Sequence, residues 1–471
     1  MAFDVSTFET LTPSRFISFT IPNPSSSSHS LLRVAVLDSP LQPTHQPRIA
    51  AMLVPQDRET DWIFSTKSGH LQLLFTSPLI SRFILIGNQP HSDSDSLNHI
   101  YHRPLNCSLN HPGFDFEVWS KPLLLALSPK SLFKNGIPEI PILSYEDSLL
   151  SSVVIHQCIS SHVGEMLIED VEIETQSETQ NHGGFQREFR RRLRFKRMPN
   201  LIQTEVLIVP ELGSSSKSLC IEDAKFMLDL RILVHPYLAP MVASLSIISE
   251  SIDGRIRNGL RPKALCLGVG GGALLTFLAI QLGFEVIGVD SDKEVLKVAK
   301  NYFGLEESEF VHVILGDAVK YMKKLAYHGK QQSKSSFADG FGHLANGEVA
   351  HKFDVIMVDL DSSDIRDGIS SPPLEFVRKN VLLAAKLVLS ELGILAVNVI
   401  SPSQTFYDNL VNHFQKIFHD LYKIDVGNGE NFILIATVTP QVFSVGDCSS
   451  PFLLQLKSVI PITYINSIRK I

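Results

Sequence analysis

Cysteine is scarce in this chain of 471 residues. There are five, at Cys107, Cys158, Cys220, Cys266 and Cys448, scattered and never in C-x-x-C spacing. An odd, dispersed set excludes a disulfide framework and a zinc knuckle and points to reduced thiols. Charge of either sign is modest: 42 Lys and Arg against 49 Asp and Glu give a formal net charge of -7. A mildly acidic chain has no global attraction for nucleic acid or anionic membrane. The opening MAFDVSTFETLTPSRF lacks an apolar core and carries Asp4 and Glu9, so it reads neither as a secretory signal nor as a transit peptide; the cytoplasm is the expected compartment. No phosphate-binding lysine motif, G-x-S-x-G or H-E-x-x-H occurs. None of the 17 histidines stands out as a metal ligand, so no metal is expected, and His235 before Pro236 reads as a core or loop residue.

Long apolar runs are nearly absent too. The exception is ALCLGVGGGALLTFLAIQLGFEVIGVD, residues 264–290. By count it could span a bilayer. Its glycines cluster in one turn, however, and Gln281, Glu285 and Asp290 interrupt it, which fits strand, turn, helix, strand rather than a lipid-facing helix.

What is present divides the chain. Residues 1–186 are rich in Pro and Ser between short apolar runs (LLRVAVL, RIAAMLV, RFILIG, VVIHQCI), the pattern of short strands and long loops. An acidic stretch, IEDVEIETQSETQNHGGF, is followed by the basic REFRRRLRFKR at 187–197. Alternation in the second stretch gives a half-exposed strand, and the two read as a hairpin with cross-strand charge pairing. Its arginines are either a solvated strand face or a basic rim that docks an acidic or nucleic-acid-associated protein. Residues 187–255 then lead, through a helical stretch, into a regular region at 256–471.

That region alternates. Strands are expected at KALCLGV, FEVIGVD, FVHVILGD, FDVIMVDLD and GILAVNVI. Helices are expected at GALLTFLAIQLG, closed by Gly283, at DKEVLKVAKNYFG, closed by Gly304, at AVKYMKKLA, at LEFVRKNVLLAAKLVLS and at SQTFYDNLVNHFQKIF. A terminal hairpin is expected in KIDVGNGENFILIATV, and the polar, glycine-rich 328–351 reads as a flexible insertion. The fold class is therefore α/β, a doubly wound, mostly parallel sheet.

Four strand ends carry chemistry. After the first, Gly268, Gly270 and Ala273 satisfy G-x-G-x-x-A, a tight turn with a bare backbone at a helix N-terminus. Alone it fits a dinucleotide, a flavin or S-adenosylmethionine. Asp290 ends the second strand, where a carboxylate accepts two ribose hydroxyls; the competing reading is a helix cap, with Asp292 as rival. Asp317, followed by Ala318, ends the third, placed either to accept an adenine amino group or to cap a helix. The fourth ends in Asp359-Leu360-Asp361-Ser362-Ser363-Asp364, acids that suit an amine acceptor and its proton, or a plain solvated turn.

Together LCLGVGGGALLTF, VIGVDSDKEVLKVAKNYFG, VILGDAVKYM and FDVIMVDLDSSD followed by SPPLEFV resemble the spermidine-synthase-like branch of S-adenosylmethionine-dependent methyltransferases. The resemblance is strongest to the C-terminal half of the methyltransferase-like family that modifies translation elongation factor 1-alpha on a lysine and on its N-terminus. DWIFSTKSGHLQLL, GEMLIEDVEI and RRLRFKRMPNLIQTEVLIV look like stretches ahead of that half. The resemblance implies a seven-stranded, Rossmann-like methyltransferase sheet with S-adenosyl-L-methionine as cofactor. It implies that Gly268, Gly270 and Gly272 approach the methionine part, that Asp290 binds ribose and that Asp317 with Ala318 faces adenine. Gln203 would lie near the cofactor, and Asp359 and Asp361 compete to hold the acceptor or take its proton. The implied partner is a protein substrate such as the elongation factor, with no nucleic acid or membrane, and the synthases suggest a homodimer. Two departures stand out. No second glycine-rich strand turn precedes residue 187, so the family's additional N-terminal methyltransferase domain is expected to be missing. The synthases' D-S-S-D-P-x-G-P is also broken, because Ile365-Arg366-Asp367 follow Asp364. An aminopropyltransferase, a catalytically dead scaffold and a nicotinamide-dependent dehydrogenase are the alternatives.

Overall fold

The computed structural model describes residues 5–24, 30–41, 47–76, 79–90, 100–104, 116–176, 185–211, 220–335, 352–361, 371–401, 403–429, 431–441 and 450–471. The chain forms two compact units. The first comprises residues 1–158, 164–202 and 214–224; the second comprises 159–163, 203–213 and 225–471. These limits differ from the expected ones at 186 and 255. The strand Met198–Pro210 changes unit at residue 203, and the helices Leu238–Ala243 and Ser249–Arg257 belong to the second unit.

In the second unit, β1 (Lys263–Leu267), β2 (Glu285–Asp290), β3 (Val311–Leu315), β4 (Phe353–Val358) and β5 (Leu389–Ile400) pair in parallel in the order 3-2-1-4-5. β6 (Leu421–Asp425) and β7 (Asn431–Thr437) form the expected hairpin, and β7 lies antiparallel to β5. An eighth strand of two residues, β8 (Arg469–Lys470), extends the edge beyond the seven expected. β4 is buried at every position, as a strand covered on both faces must be, and so reads as a near-continuous apolar run. Its one acid, Asp354, accepts the Lys263 N–H at 2.8 Å and pairs with Arg255.

The helices are α1 (Ala273–Leu282), α2 (Lys293–Tyr302), α3 (Ala318–Ser335), α4 (Lys379–Val388), α5 (Gln404–Gln415) and α6 (Pro451–Val459). Left-handed Gly283 closes α1, as expected. Leu265, Leu267, Ile356, Val358, Leu395 and Val397 point into one core with Met322 of α3, Val381 and Leu382 of α4 and Phe414 of α5. By the period of two, the residues between them face the other side, where Leu275 of α1 lies over Gly288. The sheet is thus wound on both faces. α3 runs on through residues 328–335, which were expected to begin a flexible insertion; the remainder, 336–351, lies outside the described residues. α4 begins at Lys379 rather than Leu374; the chain turns first, with the Phe376 N–H on the Pro373 carbonyl at 2.8 Å.

The first unit is less irregular than its sequence suggests. Ile49–Leu53 and Arg82–Asn88 pair in parallel across the helix Lys67–Phe75, inside a five-stranded sheet. Arg82, fully buried, forks onto Asp38 at 2.6 and 3.1 Å. The charged hairpin forms, Gly164–Gln176 against Phe185–Phe195, with Asp170 opposite Arg191. The cross-strand charge pairing expected of it is there, but the arginines are not simply a solvated face. Arg191 grips Asp170 at 2.7 and 2.9 Å, while Arg194 is buried between Glu169 and Asp61. The basic run is thus partly internal, neutralised by its own unit.

Candidate active site

β1 lies between β2 and β4, so the strand order reverses where β1 meets β4. Open parallel sheets bind ligands at the strand ends beside such a switch point. The glycine turn leaves β1 there. Gly268, Gly270 and Gly272 all hold φ in the left-handed region, +91°, +52° and +84°, which costs an L side chain about 1–2 kcal/mol. Packing also demands the glycines. A Cβ on Gly268 would stand 2.0 Å from the Asp359 carbonyl oxygen, and one on Gly272 2.9 Å from Leu305. The first and fourth turns are therefore pressed together, with the Asp359 N–H on the Leu267 carbonyl at 2.9 Å. Gly271 donates to Thr204 Oγ1 at 2.7 Å, and the Thr204 hydroxyl donates to the Gln203 carbonyl at 2.8 Å.

Asp290 and Asp292 divide their work. Asp292 caps α2, accepting the N–H groups of Glu294 and Val295. Asp290 is left to face the glycine turn: Oδ2 accepts the Val269 N–H at 3.0 Å and the Gly270 N–H at 3.4 Å, while Oδ1 accepts the Asp292 N–H at 3.0 Å. Burial raises its pKa above the usual carboxylate value, and these three amides oppose the rise. Asp317, exposed, places Oδ1 2.8 Å from the Lys320 N–H, the capping geometry, and Ala318 is buried behind it. The cap uses one of its oxygens.

Asp359 is the most constrained acid. Tyr237 OH donates to its Oδ2 at 2.9 Å, and Asn398 Nδ2 donates to its Oδ1 at 3.0 Å. Burial first, and then the neighbouring charge of Asp361, push its carboxyl up to about 6 against the pull of these two donors. Tyr237 is driven well above the usual phenol range by burial and by Asp359, so it stays a donor. Asp361 is half-buried, two residues on. Ser362, Ser363 and Asp364 lie outside the described residues. Gln203 sits by the glycine turn, its carbonyl oxygen 3.6 Å from where a Gly270 Cβ would be. Its amide nitrogen is buried without a hydrogen-bond partner, a donor aimed at nothing within the described protein. No group of three or more His, Cys, Asp or Glu among the described residues could hold a metal, and no described helix is long and apolar enough to cross a membrane.

Three participants escaped the sequence reading. Asn398 had a visible signal, as the one polar side chain in the apolar run GILAVNVI. Thr204, beside Gln203, and Tyr237, in HPYLAP, had none: their partners lie 67 and 122 residues away.

Strand order, glycine turn and clustered acids define an α/β protein whose candidate site residues gather at the switch point of its sheet. No family model matches the chain. It is similar to the eEF1A lysine and N-terminal methyltransferase of Homo sapiens, 24% identical over 426 residues covering 86% of this chain and 53% of that protein. It is also similar to the protein of the same name from Xenopus laevis, 26% identical over 421 residues covering 85% and 52%. The resemblance read from the motifs is borne out, and the chain spans about half the length of the curated relatives it matches. Among solved structures, human methyltransferase-like protein 13 in complex with SAH aligns over 49% of this chain and 92% of its own, at 24% identity and a TM-score of 0.38. A probable spermidine synthase from Corynebacterium glutamicum ATCC 13032 aligns over 64% and 85%, at 12% identity and a TM-score of 0.39.

Proposed function

We propose that the chain is an S-adenosylmethionine-dependent methyltransferase acting on a protein amine, an N-terminal α-amine or a lysine, with translation elongation factor 1-alpha as the substrate. The observation that carries this reading is Asp359: a carboxylate with a pKa near 6, held by two donors at the switch point, on a residue whose backbone abuts the glycine turn. The names of the curated relatives supply the substrate. The residues fit the cofactor. The orphaned amide of Gln203 matches the ligand's carboxylate. Asp290 keeps acceptor capacity on Oδ1 for a ribose hydroxyl, since an ionised carboxylate has about four lone-pair sites. Asp317 keeps its second oxygen for adenine, beside buried Ala318. Bound there, the cofactor supplies an electrophilic methyl group on a sulfonium.

The chain's own work is then positional. Asp359 accepts a proton from the incoming ammonium, or holds the neutral amine, while Tyr237 and Asn398 fix the direction of its lone pairs. Such alignment is a large part of what catalyses a direct displacement. Asp361 adds negative charge that draws a cationic acceptor into the crevice. Cys158, Cys220 and Cys266 are thiols outside any disulfide, which supports a cytoplasmic setting.

The test is titration of the protein with S-adenosylmethionine by calorimetry, followed by transfer of labelled methyl to purified elongation factor 1-alpha. Micromolar binding and label on the factor are expected, and Asp359→Asn should lose transfer while keeping binding. Absence of cofactor binding refutes the site. Turnover of putrescine with the decarboxylated cofactor, in place of methyl transfer, replaces this reading by an aminopropyltransferase.

A further inference from the structure

Behind Asp359 stands a line of three asparagines. Asn398, on β5, donates from Nδ2 to Asp359 Oδ1 at 3.0 Å and accepts at Oδ1 from Asn431 Nδ2 at 2.9 Å. Asn431, at the start of β7, accepts at Oδ1 from Asn428 Nδ2 at 2.9 Å. Asn398 and Asn431 are buried; Asn428 is exposed in the turn between β6 and β7, flanked by left-handed Gly427 and Gly429. The antiparallel register explains the contact. Asn398 pairs with Ile433 and Ile400 with Asn431, so the two amides are diagonal neighbours on one face.

The direction of the line is fixed at both ends. The Asn431 backbone N–H donates to Asn428 Oδ1 at 2.9 Å, so that oxygen is an acceptor and the Asn428 nitrogen must be the donor onward. At the other end an ionised carboxylate only accepts. Every amide therefore points its nitrogen toward Asp359 and its oxygen away. Aligned hydrogen bonds polarise one another, strengthening the last donor in the series. Turned over, Asn398 would set its oxygen against the carboxylate and leave its nitrogen facing that of Asn431.

We infer that Asn428, Asn431 and Asn398 form a one-way amide chain that orients the Asp359 carboxylate and favours its ionised form. This deepens the assignment of Asp359 as the base and rests on it for its catalytic meaning, though not for its electrostatics. Asn431 and Asn428 are positioning residues, acting on the carboxylate through Asn398. Among the described residues, the titratable groups facing Asp359 are the Tyr237 phenol, with His235 edge-on to its ring, Asp361 in the same turn, and the Cys266 thiol on β1. The three asparagines of the amide chain carry no ionisable group.

The experiment is a pH titration of the full-length protein labelled with 13C at aspartate carboxyls, the Asp359 signal being assigned by its loss in Asp359→Asn. Asn398→Ala should raise the midpoint by about one pH unit, Asn431→Ala by about half as much, and Asn428→Ala by less, all in the same sense, because each weakens a donor to the charged form. In an Asn398→Ala background, Asn431→Ala should add nothing. Asn428→Ala sits in an exposed turn and keeps the series interpretable if a buried variant fails to fold; calorimetric binding of S-adenosylmethionine reports that the fold is intact. A midpoint unmoved in both Asn431→Ala and Asn428→Ala overturns the inference, as does an equal shift from Asn431→Ala with Asn398 absent. The acidic limb of kcat/KM is recorded alongside. If the carboxyl midpoint moves and the limb does not, the chain stands and the assignment of Asp359 as the base fails.

Discussion

Gly268→Ala strikes the contact that presses the first and fourth turns together. The new Cβ would lie 2.0 Å from the Asp359 carbonyl oxygen, more than an ångström inside the roughly 3.3 Å at which carbon normally meets a carbonyl oxygen. The φ of +91° adds its own penalty. A left-handed L residue costs about 1–2 kcal/mol, and overpacking a close-packed site about 1–3 kcal/mol, which together give about 2–5 kcal/mol. For a unit of this size each kcal/mol lowers Tm by about 2–4 °C, so 3 kcal/mol would be a fall of about 6–12 °C. The strain has one outlet. β1 and β4 are locked in register, Leu267 opposite Val358, so relief must come from moving the turn that carries Asp359, which loosens the Tyr237 and Asn398 bonds. Differential scanning calorimetry should therefore show the drop, and titration with S-adenosylmethionine a weakened affinity in the protein that remains folded. Gly316→Ala is the control: it sits in the third turn with no left-handed φ and nothing within 4 Å of its would-be Cβ, and should stay within about 0.5 kcal/mol of wild type. If Gly268→Ala melts within about 2 °C of wild type and binds as well, the packing argument for this turn is wrong.

Thr204→Val keeps the shape but removes the acceptor of the Gly271 N–H; leaving that buried amide unpaired should cost about 1–3 kcal/mol in urea unfolding, and cofactor binding should weaken. Asp61→Asn strips a shared carboxylate from Arg58 and Arg194, both buried, and leaves each with one carboxylate partner, Asp147 and Glu169; weakening hydrogen bonds to a charged group costs about 1.5–3 kcal/mol, and the loss should appear as earlier melting of the first unit. The pKa of Asp61 is depressed: burial opposes its charge, but Arg194 and Arg58 overcome it. Its contribution is therefore present in full above the unfolded carboxylate value near 4 and disappears as pH falls below it, so the stability gap between wild type and Asp61→Asn should close in acid.

What was readable in the sequence was what local chemistry decides. Phe353–Val358 announced itself because a strand covered on both faces must be apolar throughout, and Gly283 because an α-helix commonly ends in a left-handed residue. Asp292 against Asp290 could be posed as a rivalry from spacing, and the structure settles the cap in favour of Asp292. Long-range partnership was not readable. No local pattern says that Tyr237 will meet an aspartate 122 residues on, or that a threonine in Met198–Pro210 will hold a glycine amide 67 residues away. The basic run misled for a related reason: alternation shows which face a residue takes, but not that the face beneath Arg194 is closed by Asp61, from a helix start 133 residues earlier. Residues 328–335 read as loop by composition, yet they continue α3, since composition is a weak guide where a helix has already been nucleated.

Sequence left Asp359 and Asp361 as equal candidates; the function proposed above takes Asp359 as the base, and Asp361→Asn can check that choice. A base for an ammonium must be ionised near neutral pH yet basic enough to take a proton, and a pKa near 6 meets both demands. Asp359 reaches that value first through burial and then through the charge of Asp361, while Tyr237 and Asn398 pull the other way. Asp361→Asn removes an upward push and leaves both donors in place. The Asp359 carboxyl should then titrate lower, and the acidic limb of kcat/KM, where activity is lost as pH falls through the base's pKa, should move down with it. At pH 8 the variant should retain turnover, with a raised KM for a cationic acceptor. Asp359→Asn behaves differently, losing about 10²–10⁴-fold in rate at every pH, the usual worth of a positioned proton acceptor. If instead Asp361→Asn abolishes turnover and Asp359→Asn merely shifts the limb, the roles are reversed, and the carboxylate held by Tyr237 and Asn398 serves only to shape the turn.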